Sequence, residues 1–582
     1  MHGVDNTVYK ASACGFVREQ RLSKLVVPKH HHMKKFFLPT LWLAGTFSLL
    51  LHNSCGSGTT EHSDKSIFKL NELGAVTSLD PAMAGSFENN WVLNQLYNGL
   101  VEMDADLKVQ PSIAKNWTIS DNGMEYTFYL RNDVVFHDNP QFSGGKGRVV
   151  TASDFVYSFD RLFDRRISNA STLLDVVDHD PAAGNTGFSA INDSVFTIKL
   201  KRPFKPFLGI LTMKYFSVVA KEVVQFYGDD YYNHPVGTGP FQLKFWKSNT
   251  SLVLEKNPNY FKVDEAGNRL PYLDAVAISF IRDPESAFMQ FMAGDLDMVS
   301  GIDAINKEKV LERDGSLKTE LQSKIVLQSE PFLKTDYLGI VVDPTNDLVK
   351  ASPLRNKYVR QAINFAIDRD KIVRFRRYNL GTGANLGFIP PDMHAYDHTK
   401  LRGFTYNPDK AKELLDMAGF PGGKGLTPIR LTTTSTYMDI AEEVRHQLQE
   451  VGIPVEIEIL QPTAFKTAVA DNKVLFFRKS WIGDYPDPEN FMSIFYSKNF
   501  SPKGSNYMHF KHTEFDLLYE RSLIEQNDSV RSELFLRMDQ ILVDESPVVP
   551  LYYDRIVRLV QKNVSGLIVD PTNIINLERV KK

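Results

Sequence analysis

Cysteine is nearly missing from this chain: there are two among 582 residues, Cys14 and Cys55. That excludes a disulfide framework and any cysteine-based metal centre. A surplus of one charge sign is also lacking. Sixty-seven Lys and Arg stand against 70 Asp and Glu, for a formal net charge of −3. A nucleic-acid partner needs a basic field, and none is offered. Catalytic signatures are missing too, since no G-x-S-x-G, no H-E-x-x-H and no Ser-His-Asp pattern occurs. There is no internal repeat and no long run of like charge. What the chain has is ordinary globular material, 43% hydrophobic and 24% charged, with 39 Phe and 23 Tyr. That is enough for large cores, over a length of roughly three or four typical domains.

One apolar stretch stands out near the start. Lys34 and Lys35 precede the segment 36–51, which Pro39, Thr40 and Gly45 interrupt. It is shorter and more broken than the roughly 20 apolar residues of a spanning helix. A basic start, a short apolar region and a small residue before a cut make a secretory leader, with the cut at Ser54-Cys55. A Cys there resembles a bacterial lipobox, which assigns Cys55 to lipidation, although His52 and not leucine stands three residues before it. The alternative is an ordinary signal peptide with an incidental Cys. Residues 1–32 do not fit a leader, so Met33 is the expected start, and the triplet His30-His31-His32 is not read as a metal site. Gly56-Ser57-Gly58-Thr59-Thr60 begins a flexible tether over 56–65.

Beyond the tether, strand and helix signals alternate. Residues 125–130 (EYTFYL) alternate polar and apolar after the turn Asp121-Asn122-Gly123, as do residues around Phe196, Ile198 and Leu200. Thr151 and Asp154 form a capping box before a helix carrying Phe155, Val156, Phe159 and Leu162. Val359, Ala362, Ile363, Ala366 and Ile367 fall on one helical stripe. Asn407, Pro408 and Gly419 bracket another helix. Residues 429–433, 438–451 and 455–459 read as a βαβ unit. The fold class is α/β with mixed sheets. Gly237-Thr238-Gly239 lacks the Lys-Ser/Thr pair of a phosphate loop and reads as a turn. His137 reads as a packing histidine.

Many short segments, in order from about residue 66 onward, resemble one family. They include residues 79–82 (LDPA), 94–101 (NQLYNGLV), 111–117 (PSIAKNW), 151–158 (TASDFVYS), 237–241 (GTGPF), 257–261 (NPNYF), 359–369 (VRQAINFAIDR) and 406–411 (YNPDKA). The family is the extracellular solute-binding proteins of the oligopeptide, dipeptide and nickel ABC import systems, family 5. The resemblance implies a two-lobed periplasmic-binding-protein fold of type II, hinge-linked, with an additional domain. Lobe I would comprise residues 66–108, 232–330 and 556–582, the extra domain 109–231, and lobe II 331–555. It also implies an envelope-located monomer that is not an enzyme and needs no cofactor, with a peptide ligand, an ABC permease and its ATPase subunits as partners.

The segment 480–488 (SWIGDYPDP) resembles the family's cleft loop. By position, Asp484 would bind the peptide ammonium, a cation that needs an ionised partner when enclosed. Ser480 and Ile482 would pair with the ligand backbone like an added strand, with Gly85, Ser86 and Phe87 pairing from the other lobe. Trp481 and Tyr485 would wall the cleft. The rival reading makes 484–488 a rigid turn in which Asp484 caps a backbone amide, and Trp481 and Tyr485 core residues. Dipeptide-specific relatives place an arginine before the βαβ helix; residues 432–437 (TTTSTY) have none, which favours longer or differently anchored ligands. Arg374, Arg376, Arg377 and Lys479 are candidates for the ligand carboxylate, with a solvated charge face as the alternative for the arginine cluster. The same fold could also serve a sugar, a metal chelate or an opine, or an envelope receptor.

Overall fold

A computed structural model describes residues 65–168, 170–393 and 396–582. The expected leader, Cys55 and the tether up to residue 64 lie outside the described residues. Among the described residues, no helix is long and apolar enough to cross a membrane.

Two long strands organise the structure. Ile325–Ile340 and Val548–Gln561 run antiparallel at the centre of an eleven-stranded mixed sheet. Their register breaks between Pro331 and Thr335, opposite Arg555 and Tyr553, and again between Asp336 and Tyr337. Proline has no N–H to give a ladder, so a break at Pro331 is where the sequence permits one. On one side of the break the long strand pairs with Phe476–Ile482, followed by Ile429–Thr433 and Val455–Ile459. On the other side, Val548–Gln561 pairs with Met298–Ser300, and Ile67–Asn71, Ala275–Ser279, Ser251–Lys256 and Phe241–Lys247 follow.

Each half of the sheet carries its own buried cluster. Leu338, Ile363, Leu431, Val444 and Leu551 pack on the first half. Phe291, Val310, Leu311 and Leu559 pack on the second. The βαβ unit is present as read: Ile429–Thr433 and Val455–Ile459 pair in parallel, joined by the helix Met438–Glu450. The helical stripe from Val359 stops early. The helix is Lys357–Ala366, and a second, Arg369–Arg376, follows. Asp368 divides them because its side chain accepts the Lys371 N–H at 2.9 Å and caps the new helix.

A separate antiparallel sheet orders Ala114–Ile119, Glu125–Leu130, Val195–Lys199 and Phe188–Asn192. Tyr126, Phe128 and Leu130 are buried, which is the alternation expected of this strand. The helix Ala152–Asp160 lies against the sheet, with Phe155 and Phe159 against Phe196 at ring-centre distances of 5.7 and 5.6 Å. Burying each such ring stabilises by roughly 1.5–3 kcal/mol. The Thr151–Asp154 capping box is formed. This unit is tied to the second half of the main sheet, which holds Ile67–Asn71, by Arg161, which grips Asp80 with two bonds of 2.9 and 2.8 Å. Asp80 also caps the short turn Pro81–Met83, so the Leu79-Asp80-Pro81-Ala82 segment is a joint.

Gly237 and Gly239 serve close packing. A Cβ on Gly237 would collide with the Leu96 carbonyl oxygen, and one on Gly239 with those of Gln95 and Leu96. His137 belongs to the same joint. Its Nδ1 accepts the Gly237 N–H at 3.3 Å, and its Nε2 donates to the Gly239 carbonyl at 3.0 Å. Burial pushes its pKa from 6.5 down to about 4. The unfolded chain therefore takes up the proton first, and stability falls as pH drops from about 6.5 towards 4, by roughly 3 kcal/mol for this group. His137→Gln is expected to lose stability at pH 7 and to lose this part of the acid dependence. Urea midpoints at pH 7 and pH 5 test it; an equally steep fall in the variant would assign the acid sensitivity elsewhere.

Candidate functional site

A cavity of about 500 Å³ opens where the two halves of the main sheet and the four-stranded unit meet. Its walls come from four places. One is the start of the helix Phe87–Leu96, with Gly85, Ser86 and Phe87. The second is the loop Ile482 to Pro486. The third is Thr212 to Tyr215 in the four-stranded unit, and the fourth is the C-terminal segment with Asp570, Thr572 and Glu578. A volume of this size lies within the range of about 300–1,000 Å³ common for ligand pockets.

Asp484 is the central acid of the loop. It is exposed to the cavity, yet the crevice crowds it enough that burial raises its carboxyl pKa, with the Asn490 side chain pulling the other way. Among the described residues no cationic nitrogen lies within 4.0 Å of it. Its neighbour Asp487 has the opposite character. Asp487 caps the helix Pro488–Met492 by accepting the Glu489 N–H at 2.9 Å, and Arg531 grips it through bonds of 2.7 and 2.8 Å. The turn-forming acid of 484–488 is thus Asp487, and Asp484 is left with an open acceptor face.

The other expected residues divide. Ile482, Tyr485, Gly85, Ser86 and Phe87 line the cavity; Ser480 and Trp481 do not. Ser480 and Trp481 sit in the strand Phe476–Ile482, opposite Asp336 and Thr335. The Trp481 indole donates to Asn490 Oδ1 at 2.9 Å, which also accepts the Asp484 N–H at 3.3 Å. Trp481 therefore braces the loop from behind. Tyr485 is buried, its hydroxyl bonded to Glu489. Ser86 caps its helix, accepting the Asn89 N–H at 3.3 Å. The strand Phe476–Ile482 pairs with Ile429–Thr433 only at Phe476 and Phe477, so from Arg478 onward one edge carries no strand partner among the described residues.

None of the arginines considered for a ligand carboxylate reaches the cavity. Arg376 pairs with Glu443 at 2.9 Å and Arg377 with Asp554 at 2.5 Å. Lys479 lies 4.5 Å from the centre of the Tyr507 ring. The cavity's lysines are Lys262 and Lys214, neither of which the residue patterns had pointed to. Lys262 is held between Glu102, at 2.7 Å, and Glu578, at 3.2 Å. The available signal for Lys214 was its isolation: it is the sole charged residue between Lys205 and Lys221, in an otherwise apolar stretch. The C-terminal wall gave no such signal.

A two-lobed mixed α/β fold with a crevice between its parts is the architecture of periplasmic binding proteins. A Helicobacter pylori DppA structure in complex with the peptide STSA superposes with TM-score 0.70 at 23% identity, covering 88% of this chain and 99% of that one. The AgaA binding protein in complex with agropinic acid, from A. tumefaciens R10, superposes with TM-score 0.69 at 21% identity, covering 88% and 98%. The family model for bacterial extracellular solute-binding proteins, family 5, matches residues 108–503, and the chain belongs to that family. Among its relatives are the dipeptide-binding protein of Escherichia coli K12, 26% identical over 83% of this chain and 88% of the relative. The oligopeptide-binding protein OppA of Bacillus subtilis 168 is 26% identical over 93% and 98%. Family-5 proteins are non-enzymatic receptors that bind a solute outside the cytoplasm and associate with an ABC transporter.

Proposed function

We propose that this protein captures peptides, oligopeptides in particular, in the crevice and hands them to an ABC permease. The observation that carries this reading is Asp484, a carboxylate in a crowded cavity with no cation of the described residues within 4.0 Å. A peptide ammonium would give it the partner it lacks. The unpaired edge beyond Phe477 offers main-chain groups to an extended ligand, and Ile482 and the 85–87 segment lie on the cavity wall to receive it. Main-chain pairing recognises a peptide without reading its side chains. Relatives bearing the names dipeptide- and oligopeptide-binding protein, and a structural neighbour holding STSA, agree with that chemistry.

In this reading lobe I comprises 66–108, 232–330 and 556–582, the extra domain 109–231, and lobe II 331–555. The register break around Pro331 and Arg555 then falls at the two chain crossings, which act as the hinge. A ligand touching both lobes binds the closed form better and shifts the population towards it. Cys55 would carry the lipid that holds the protein, as a monomer, at the membrane beside the permease.

The test is mass spectrometry of whatever co-purifies with residues 56–582, released by denaturation. A mixture of short peptides with free amino termini is the expected result. A single non-peptide solute, of the kind AgaA holds, would replace the substrate and leave the transport role. A protein that emerges empty and, after refolding, binds nothing from a peptide pool overturns the peptide reading.

A further inference from the structure

Lys214 is a cation on the cavity wall with no partner among the described residues. Among the described residues no hydrogen-bond acceptor is recorded for its Nζ and no carboxylate lies within 4.0 Å of it, although its side chain is half-buried. The other cavity lysine is the contrast that gives this meaning. Lys262 has the same charge in the same cavity and is gripped by Glu102 and Glu578. Asp570, the remaining acid of that wall, is engaged by Thr572, whose N–H donates to it at 2.8 Å and whose hydroxyl donates as well.

The acids of this wall thus have partners of their own and reach Lys214 only through space. Burial pushes the Lys214 ammonium down to about 8, against the pull of Glu102, with Lys262 adding to the push and Asp570 and Glu578 adding to the pull. Its surroundings under-compensate the charge. A cation left so in a cavity wall is stabilised by an anion brought from outside.

Resting on the peptide reading above, we infer that Lys214 receives the acidic end of the ligand, its terminal carboxylate, so that the cavity holds a zwitterion by Asp484 and Lys214 together. Recognition of the carboxylate then comes from the four-stranded unit and not from either half of the main sheet. The arginine that dipeptide-specific relatives place before the βαβ helix is missing here because the charge is supplied from a different element. A ligand fixed at both termini has a bounded length, while its side chains stay unread.

The test uses tri- to hexa-alanine, each as the free acid and as the C-terminal amide, by calorimetric titration. In the wild type the amide is expected to bind about ten- to a hundredfold more weakly than the acid at the preferred length. In Lys214→Met the acid should fall to the level of the amide, and Lys214→Arg should restore most of the difference. A second readout needs no variant. Reductive methylation, followed by mass spectrometry, should modify Lys214 in the free protein, and the free acid should protect it where the amide does not. Acid and amide binding alike in the wild type, or a preference that survives in Lys214→Met, overturns the assignment of Lys214 alone. Failure of every peptide to bind removes the peptide reading and this assignment with it.

Discussion

Asp484→Asn is expected to weaken a free-amine peptide by roughly 2–5 kcal/mol, about 30-fold to several thousandfold in Kd. The same peptide with an acetylated amino terminus should bind weakly to both proteins, with little difference between them. The change keeps the side chain's shape and removes only its charge, so the loss reads the ammonium contact directly. Stability should move in the opposite direction to binding. The crevice raises the Asp484 carboxyl above its ordinary value, so the unfolded chain loses this proton before the folded one does. Above the ordinary carboxylate range that difference costs the folded state stability. The unliganded Asn variant should therefore unfold at the same or a higher urea concentration than the wild type. A carboxylate that capped a turn would give the reverse, a loss of about 1 kcal/mol on removal. Asp487, which does cap and is held by Arg531, should behave that way. Calorimetric titration with the acetylated and free peptides, alongside urea unfolding, separates the two roles. Equal binding of the free peptide by wild type and variant would end the assignment.

Much of the local structure was legible because single segments decide it. The βαβ unit over 429–459 follows from a strand, a glycine-ended helix and a second strand in series, and it forms as read. The Thr151 capping box and the Asn407-to-Gly419 helix likewise depend on neighbours in sequence. The stripe beginning at Val359 shows where periodicity fails. Ile367 continues it on a helical wheel, but Asp368 caps a new helix, and Arg369 turns inward to bond the Pro550 carbonyl at 2.6 Å and Asn364 Oδ1 at 2.8 Å. A buried arginine satisfied by a strand 181 positions away has no local signature.

The site divides along the same line. Asp484 and Asp487 stand three residues apart in one loop; Asp487 caps the helix that follows it and is gripped by the distant Arg531, and among the described residues Asp484 has no cation beside it. Trp481 and Ile482 are adjacent, yet only Ile482 lines the cavity, because Trp481 is committed to Asn490. The cavity draws walls from residues 85, 214, 484 and 578, which no spacing rule connects. Family resemblance supplied the loop. The third wall, with Lys214, became visible only when the chain's distant parts were placed together.

Asp554→Asn should be the most destabilising of these changes at neutral pH, by about 3–5 kcal/mol. Asp554 lies on the strand Val548–Gln561 next to the register break, with its carboxylate 2.6 Å from Lys334 and 2.5 Å from Arg377. Lys334 also lies 3.1 Å from Asp336, a wholly buried acid that in turn contacts Arg478. Two acids and three bases are thus interleaved at the register break of the long strands, and the side chains of Asp554 and Lys334 are 8% and 13% exposed. Such a network adds little over an apolar core, but removing one member leaves the others buried without compensation. Here Arg377 would lose its carboxylate and Lys334 one of its two. The two lysine and arginine neighbours hold the Asp554 carboxyl well below its ordinary value, against the effect of its burial. The stability it confers is present above the ordinary carboxylate range, near pH 4, and is lost as pH falls towards the lowered folded value. The gap between wild type and variant in urea should thus be full at pH 7 and narrow below about pH 4. Asp347→Asn is the control, since Asp347 pairs with Lys350 at 2.7 Å while 93% exposed. It should cost under about 1 kcal/mol. If Asp554→Asn cost no more than that, the register break would be held by the strand ladder alone and not by a buried lattice of charge.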